Sequence, residues 1–372
     1  MSSKIIEAEQ LLDSLLPVKR LEQSPPAELM AAAKAWSEAV WVRAVEAGPI
    51  SLSNGDIAKS QVLAARPVYI CGVHRSGTTL VRDLLDGHPE LVVLPSEGTF
   101  YTNLEAKLNS LPSNKRAAFM CTEWLRRLAN PINQPPYWLL GRSTEAGSPY
   151  VDFARYFITW WSVVDKENKQ WQHVAVVMAY ASVTKKLGAK FWVDKTPANE
   201  RYLDRIRKEM PRARIIQVMR EPLATIASRK KMEPLSAVRN ALIDLKMSYE
   251  TAIENLDAET SRYLVLRYEE LCDDPQKITG NITSFLNIQA SEALNKPTVA
   301  GMATQANSSF NKTATPGEII KRDQHLPDEI LNEEERELIS AYLGDLPGKL
   351  NYKLPKVGLL RALNLKIKFR LS

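Results

Sequence analysis

The chain is short of the residues that staple or anchor a protein. Cysteine occurs three times in 372 residues. Cys71, Cys121 and Cys272 are far apart, with no CxxC pair and no even count. The apolar surroundings of Cys71 and Cys272 predict buried free thiols. No stretch approaches the roughly 20 apolar residues that span a bilayer. The N-terminus, "MSSKIIEAEQLLDSLLPVKR", is charged and amphipathic and lacks the apolar run of a signal peptide. These absences predict a cytoplasmic protein. Basic residues are in mild excess, with a net charge of +6, but they do not cluster as in a dedicated nucleic-acid binder. An anionic small ligand accounts for the excess equally well. With 45% hydrophobic and 25% charged residues, the chain suits one large α/β domain or two domains.

Residues 4–16 and 26–47 carry apolar residues at helical spacing, the second stretch opened by Ser24 as N-cap with prolines in its first turn. A loop rich in Ser, Gly and Asn is expected next, leading through Arg66-Pro67 into a strand, "VYICGV". "TTLVRDLLDG" reads as a helix closed by Gly87, and "LVVL" (91–94) as a buried strand. Residues 101–185 read as mostly helical and hold most of the tryptophans. Beyond them come strand "AKFWVDKTP", helix "RYLDRIRKEMP", strand "ARIIQVMR", helix "EPLATIASRKKM" and strand "YLVLRYEEL", then a helix to about residue 286. An acidic helix (327–343) and a basic tail follow. Strands alternating with helices predict a doubly wound parallel sheet.

The first βα junction, "GVHRSGTTL", has the glycine spacing of a phosphate-binding loop. It lacks the lysine that the nucleotide-triphosphatase pattern places before Ser or Thr, and Thr78 stands there instead. A strand, a glycine-bounded turn and a helix N-terminus aim backbone N–H groups and a positive dipole at one anion. Ser76, Thr78 and Thr79 add hydroxyl donors, and Arg75 supplies a guanidinium. Without the lysine, a triphosphate with Mg²⁺ is poorly served, whereas a less charged group suits one arginine. A second anion site is expected where strand 214–219 ends at Arg220, at the carboxyl edge where α/β sheets bind ligands. Arg220 and Ser228, two helical turns on, suit a phosphate monoester.

"HRSGTTLVRDLLDGHPE" and "RIIQVMREPLATIASR", with "KTPAN" between them and "LRYEELCDDP" after, resemble the PAPS-dependent sulfotransferases, nearest the branch of protein-tyrosine and related bacterial enzymes. The likeness runs from about residue 67 to 320. It implies a P-loop-type α/β core over 67–320 with a helical insertion at 101–185, an N-terminal helical extension (1–66), and a C-terminal helix and basic tail (321–372) packed on the core. It implies that Arg75, Ser76, Gly77, Thr78 and Thr79 hold the 5′-phosphosulfate and that Arg220 and Ser228 hold the 3′-phosphate. A serine of "ANSSFNKTATPG", Ser308 or Ser309, covers the cofactor, and Tyr268 matches the tyrosine of the family's "YE.L" segment.

By the same resemblance Lys195 serves the transferring sulfonyl, and its other reading is a surface lysine paired with Asp194. Arg75 relieves charge on the leaving phosphate. Glu97 in "LPSEGTF" matches the family's base, a role that suits a carboxylate raised in pKa by partial burial. His74 inside the loop is the alternative base, and His88 fits the helix-end turn. The implied donor is PAPS, leaving PAP, with no metal. The acceptor is left open among a peptide tyrosine, a carbohydrate, a lipid and a small hydroxylated molecule, as is the oligomeric state. The rival readings are a degenerate P-loop nucleotide kinase and a non-catalytic nucleotide-binding module. The tail "KVGLLRALNLKIKFRLS" suits either contact with a membrane or docking onto the domain.

Overall fold

The computed structural model describes residues 2–16, 27–130, 135–232, 237–258, 261–304, 315–320 and 325–371. Five strands make the central sheet: β1 Pro67–Cys71, β2 Leu91–Val93, β3 Phe191–Lys195, β4 Arg214–Met219 and β5 Tyr263–Arg267. Their order is β2-β3-β1-β4-β5, and every pairing is parallel. The expected doubly wound α/β sheet is therefore the fold of this chain. Tyr69 and Cys71 of β1 face one core, while Val68 and Ile70 face another. Burial on both faces explains why the strands read as continuous apolar runs.

On the first face lie the helices Ala27–Ala47, Ser113–Ala129, Pro149–Val163 and Trp171–Val183. On the second lie Thr78–Leu85 and Pro275–Leu286. Trp36, Trp124 and Trp160 are fully buried, and Trp36, Trp138 and Tyr150 pack edge to face. These aromatics fill the core between the helices that follow β2 and the helix Ala27–Ala47. All three cysteines are free and buried.

Several expected elements differ. Where a Ser/Gly/Asn-rich loop was expected, residues Asn54–Ala64 form a helix, because Ser53 and Asp56 make a reciprocal capping box. The strand "YLVLRYEEL" stops at Arg267, and Tyr268 opens the helix Tyr268–Asp273. The acidic helix is two: Leu326–Ile330 and Glu333–Leu343, the latter capped by Asn332 and Glu335. The tail is a helix over Leu359–Leu371. Ser24 lies outside the described residues.

Candidate active site

A parallel sheet delivers its strand ends to one edge, and each strand here contributes one residue shortly after its carboxyl end. Arg75 follows β1, Glu97 follows β2, Lys195 ends β3, Arg220 follows β4 and Tyr268 follows β5. The β1 and β3 ends are tied together, since Thr196 N–H donates to Ile70 O (3.1 Å) and Gly72 N–H to Pro197 O (3.1 Å).

The β1 loop has a geometry that can hold an anion. Gly77 caps the helix Thr78–Leu85 at φ 102°, and a Cβ there would collide with the Tyr268 ring. Ser76 and Thr78 are buried and Thr79 is exposed. The buried Ser76 hydroxyl has no hydrogen-bond partner among the described residues, which is unusual for a buried polar group away from a ligand site. Arg75 takes a positive φ of 76°. Its Nε donates to Ser228 Oγ (3.1 Å). Arg220 donates to the Arg75 carbonyl (3.0 Å) and stacks over Tyr268 at 4.8 Å. Arg220 is itself held by Tyr249, whose hydroxyl donates to its carbonyl (3.0 Å). Burial, and then the like charge of Arg220, lower the Arg75 pKa. Two guanidiniums and a hydroxyl meeting beside a phosphate-type loop can accommodate an anion of more than one charge. Arg75 thus reaches toward Ser228, so the two expected anion sites are contiguous.

The second half of the site is an ion pair. Lys195 Nζ donates to Glu97 Oε1 at 2.6 Å. Lys195 is 3% exposed, which overturns the surface-lysine reading. Asp194 points away from Lys195, because successive strand residues alternate faces. It accepts from Gly98 N–H (3.1 Å) and Thr196 Oγ1 (2.8 Å) and faces His173 Nε2 at 3.4 Å. Burial lowers the Lys195 pKa, with Glu97 opposing and Arg82 adding to the shift. For Glu97, burial pushes upward, but the charge and hydrogen bond of Lys195, with His74 and Arg82, outweigh it, so its pKa falls below the usual carboxylate value. The expected upward shift is therefore reversed by the paired lysine.

A third participant carried no recognisable sequence signal. Arg127, from the helix Ser113–Ala129, donates to Glu97 O, to Gly98 O (3.2 Å) and to Thr99 Oγ1 (2.9 Å). It also lies 5.1 Å from the Trp124 ring. Gly98 leaves no room for a Cβ, which would meet the Asp194 carboxylate. The Glu97 segment is thus gripped by Arg127 from the helix Ser113–Ala129 and by Asp194 from the sheet. His74 is exposed in the loop. His88 is fully buried, its Nε2 2.9 Å from Gln289 O and its Nδ1 accepting from Glu90 N–H (3.1 Å), so it belongs to the helix-end turn. Ser308 and Ser309 lie outside the described residues. Among the described residues no cluster of potential metal ligands occurs.

Residues 67–292 match the Sulfotransferase family, well over half of the 372 residues, and the chain belongs to that family. Solved structures similar to it include the sulfotransferase domain of the Synechococcus PCC 7002 olefin synthase (21% identity, 82% of this chain and 95% of that one, TM-score 0.42). The sulfotransferase domain of the curacin biosynthetic pathway matches at 17% identity, over 77% of this chain and 98% of that one, with TM-score 0.44. A sulfotransferase from Mycobacterium avium matches at 14%, over 78% and 85%, with TM-score 0.38. A search of curated proteins gives no match.

Proposed function

We propose that this family member transfers a sulfonyl group from PAPS to an acceptor hydroxyl or amine. The observation that carries the reading is the meeting of Arg75, Arg220 and Ser228 beside a loop whose buried Ser76 hydroxyl lacks a partner. The β1 loop, with Ser76, Thr78 and Thr79, suits the 5′-phosphosulfate, and Arg220 with Ser228 suits the 3′-phosphate. Bound there, PAPS supplies an activated sulfonyl group with PAP as leaving group.

The protein's part is orientation and proton handling. Glu97 receives the acceptor's proton. Lys195 keeps that carboxylate ionised before the reaction and presents a buried cation to the sulfonyl oxygens. As Lys195 turns toward those oxygens, Glu97 loses its counter-ion, and burial alone then raises its pKa toward that of a working base. Arg127 and Asp194 fix the segment that carries it.

Thermal shift separates this reading from the kinase alternative. PAP without metal should stabilise the protein, and ATP with Mg²⁺ should not. Stabilisation by ATP with Mg²⁺ alone sinks the proposal. Labelled PAPS offered with tyrosine peptides, oligosaccharides, lipids and phenols then tests transfer, and nucleotide affinity without transfer to any of them favours the binding module.

A further inference from the structure

The C-terminal helix Leu359–Leu371 has two apolar faces, and only one is used by the fold. Leu365 and Phe369, four residues apart, are buried. The Phe369 ring lies 4.6 Å from that of Tyr342, and Arg239 donates to the Phe369 carbonyl. Arg361 and Lys368 flank this seam and pair with Glu337 and Glu334. The helix is therefore docked on the core along a defined edge.

Its outer face is of another kind. Leu359, Leu360, Leu363 and Ile367 are 90%, 87%, 58% and 48% exposed. At about 100° per residue they fall within one arc of roughly 100°, opposite Leu365 and Phe369. Of the other exposed large hydrophobics, Leu11, Val62 and Val163 lie singly on separate helices, Met30, Val42 and Val45 share the helix Ala27–Ala47, and none is as exposed as Leu359 or Leu360. Scattered ones are ordinary, whereas a contiguous ridge marks a contact surface.

The charge around the ridge identifies what covers it. No Asp or Glu follows Asp345, while Lys349, Lys353, Lys356, Arg361, Lys366, Lys368 and Arg370 do. Lys366 and Arg370 project on the Leu359 side of the ridge, and among the described residues neither has an acidic partner. A second copy of the chain is disfavoured, because a two-fold contact would set this basic edge against itself. At 13 residues the helix is too short to span a bilayer. A convex aliphatic ridge bordered by exposed lysine and arginine instead fits the headgroup boundary of an anionic membrane, where aliphatics sink into acyl chains and cations meet phosphate.

We propose that the protein docks on anionic membranes through Leu359, Leu360, Leu363 and Ile367, with Lys366 and Arg370 on lipid phosphates. The proposal is independent of the sulfonyl-transfer reading.

The full chain is sedimented with vesicles of phosphatidylcholine alone and of phosphatidylcholine mixed with phosphatidylglycerol. Wild type should pellet with the mixed vesicles, weakly with the neutral ones, and less at high salt. The double variants Leu359→Ser/Leu363→Ser and Lys366→Glu/Arg370→Glu should each weaken binding about tenfold or more, with unchanged circular dichroism and melting temperature. A wild type that stays in the supernatant, or double variants that bind as it does, overturns the proposal. So does a dimer in sedimentation velocity that the leucine variant dissociates, since the ridge would then belong to a second copy.

Discussion

Lys195 and Glu97 each favour the charged form of the other against burial, so the base is best tested through pH. Glu97 is held below the usual glutamate value of 4.5. If Glu97 is the base, the acid limb of kcat/KM should fall below pH 4.5, because that limb reports the free enzyme. A limb near the ordinary histidine value of about 6.5 would transfer the role to His74. Glu97→Gln keeps the shape and removes the charge. It should cut kcat by roughly 10²–10⁴ and leave PAP affinity within a few-fold. Arg220 makes a separate prediction. A charge-assisted hydrogen bond contributes about 1.5–3 kcal/mol, so Arg220→Ala should weaken PAP about 10- to 100-fold by calorimetry. AMP, which has no 3′-phosphate, should lose far less. Equal losses for the two nucleotides would remove Arg220 from the 3′-phosphate site.

At the scale of elements, the site depends on how the helices between β2 and β3 meet the sheet. Arg127 donates to the two carbonyls at Glu97 and Gly98 and to the Thr99 hydroxyl. Arg127→Ala removes those donors and frees the Glu97 segment. Since a displacement of about 1 Å costs roughly 10²-fold in rate, kcat should fall by about that factor while PAP affinity holds. A parallel loss of PAP affinity would mean general collapse rather than misplacement. The contrast between Arg127 and the strand-end residues explains what the sequence disclosed. Arg75, Glu97, Lys195, Arg220 and Tyr268 each end or follow an apolar strand, so short-range pattern and a parallel sheet suffice to bring them to one edge. Arg127 looks like an ordinary basic residue in the last turn of a helix, and only a contact across 30 residues gives it a role. The helix Asn54–Ala64 was hidden differently. Asn54 and Gly55 suggested a loop, although Ser53 and Asp56 carried the local capping signal.

For the whole molecule, one buried carboxyl links the site's foundation to global stability. Glu200 follows β3 and is 6% exposed. Its Oε2 accepts from Gln217 Nε2 of β4 (2.9 Å) and from Ser248 Oγ of the helix Ala237–Ala258 (2.6 Å). Tyr263 of β5 donates to Gln217 Oε1, so the network binds four segments beneath the strand ends. Burial pushes the Glu200 pKa from 4.5 up to about 8, against the pull of Ser248, Gln217 and Arg201. The folded state therefore holds a proton that the unfolded chain releases at lower pH. The stabilisation is fully present below pH 4.5, declines as pH rises, and is lost once pH passes about 8. Glu200→Gln is neutral at every pH and keeps an oxygen acceptor for Ser248. Its urea midpoint should decline less steeply than that of wild type between these two pH values, and it should be the more stable protein above the upper one. Parallel slopes for the two proteins would mean that Glu200 is ionised in the fold, with its charge met by Ser248, Gln217 and Arg201 rather than by a proton.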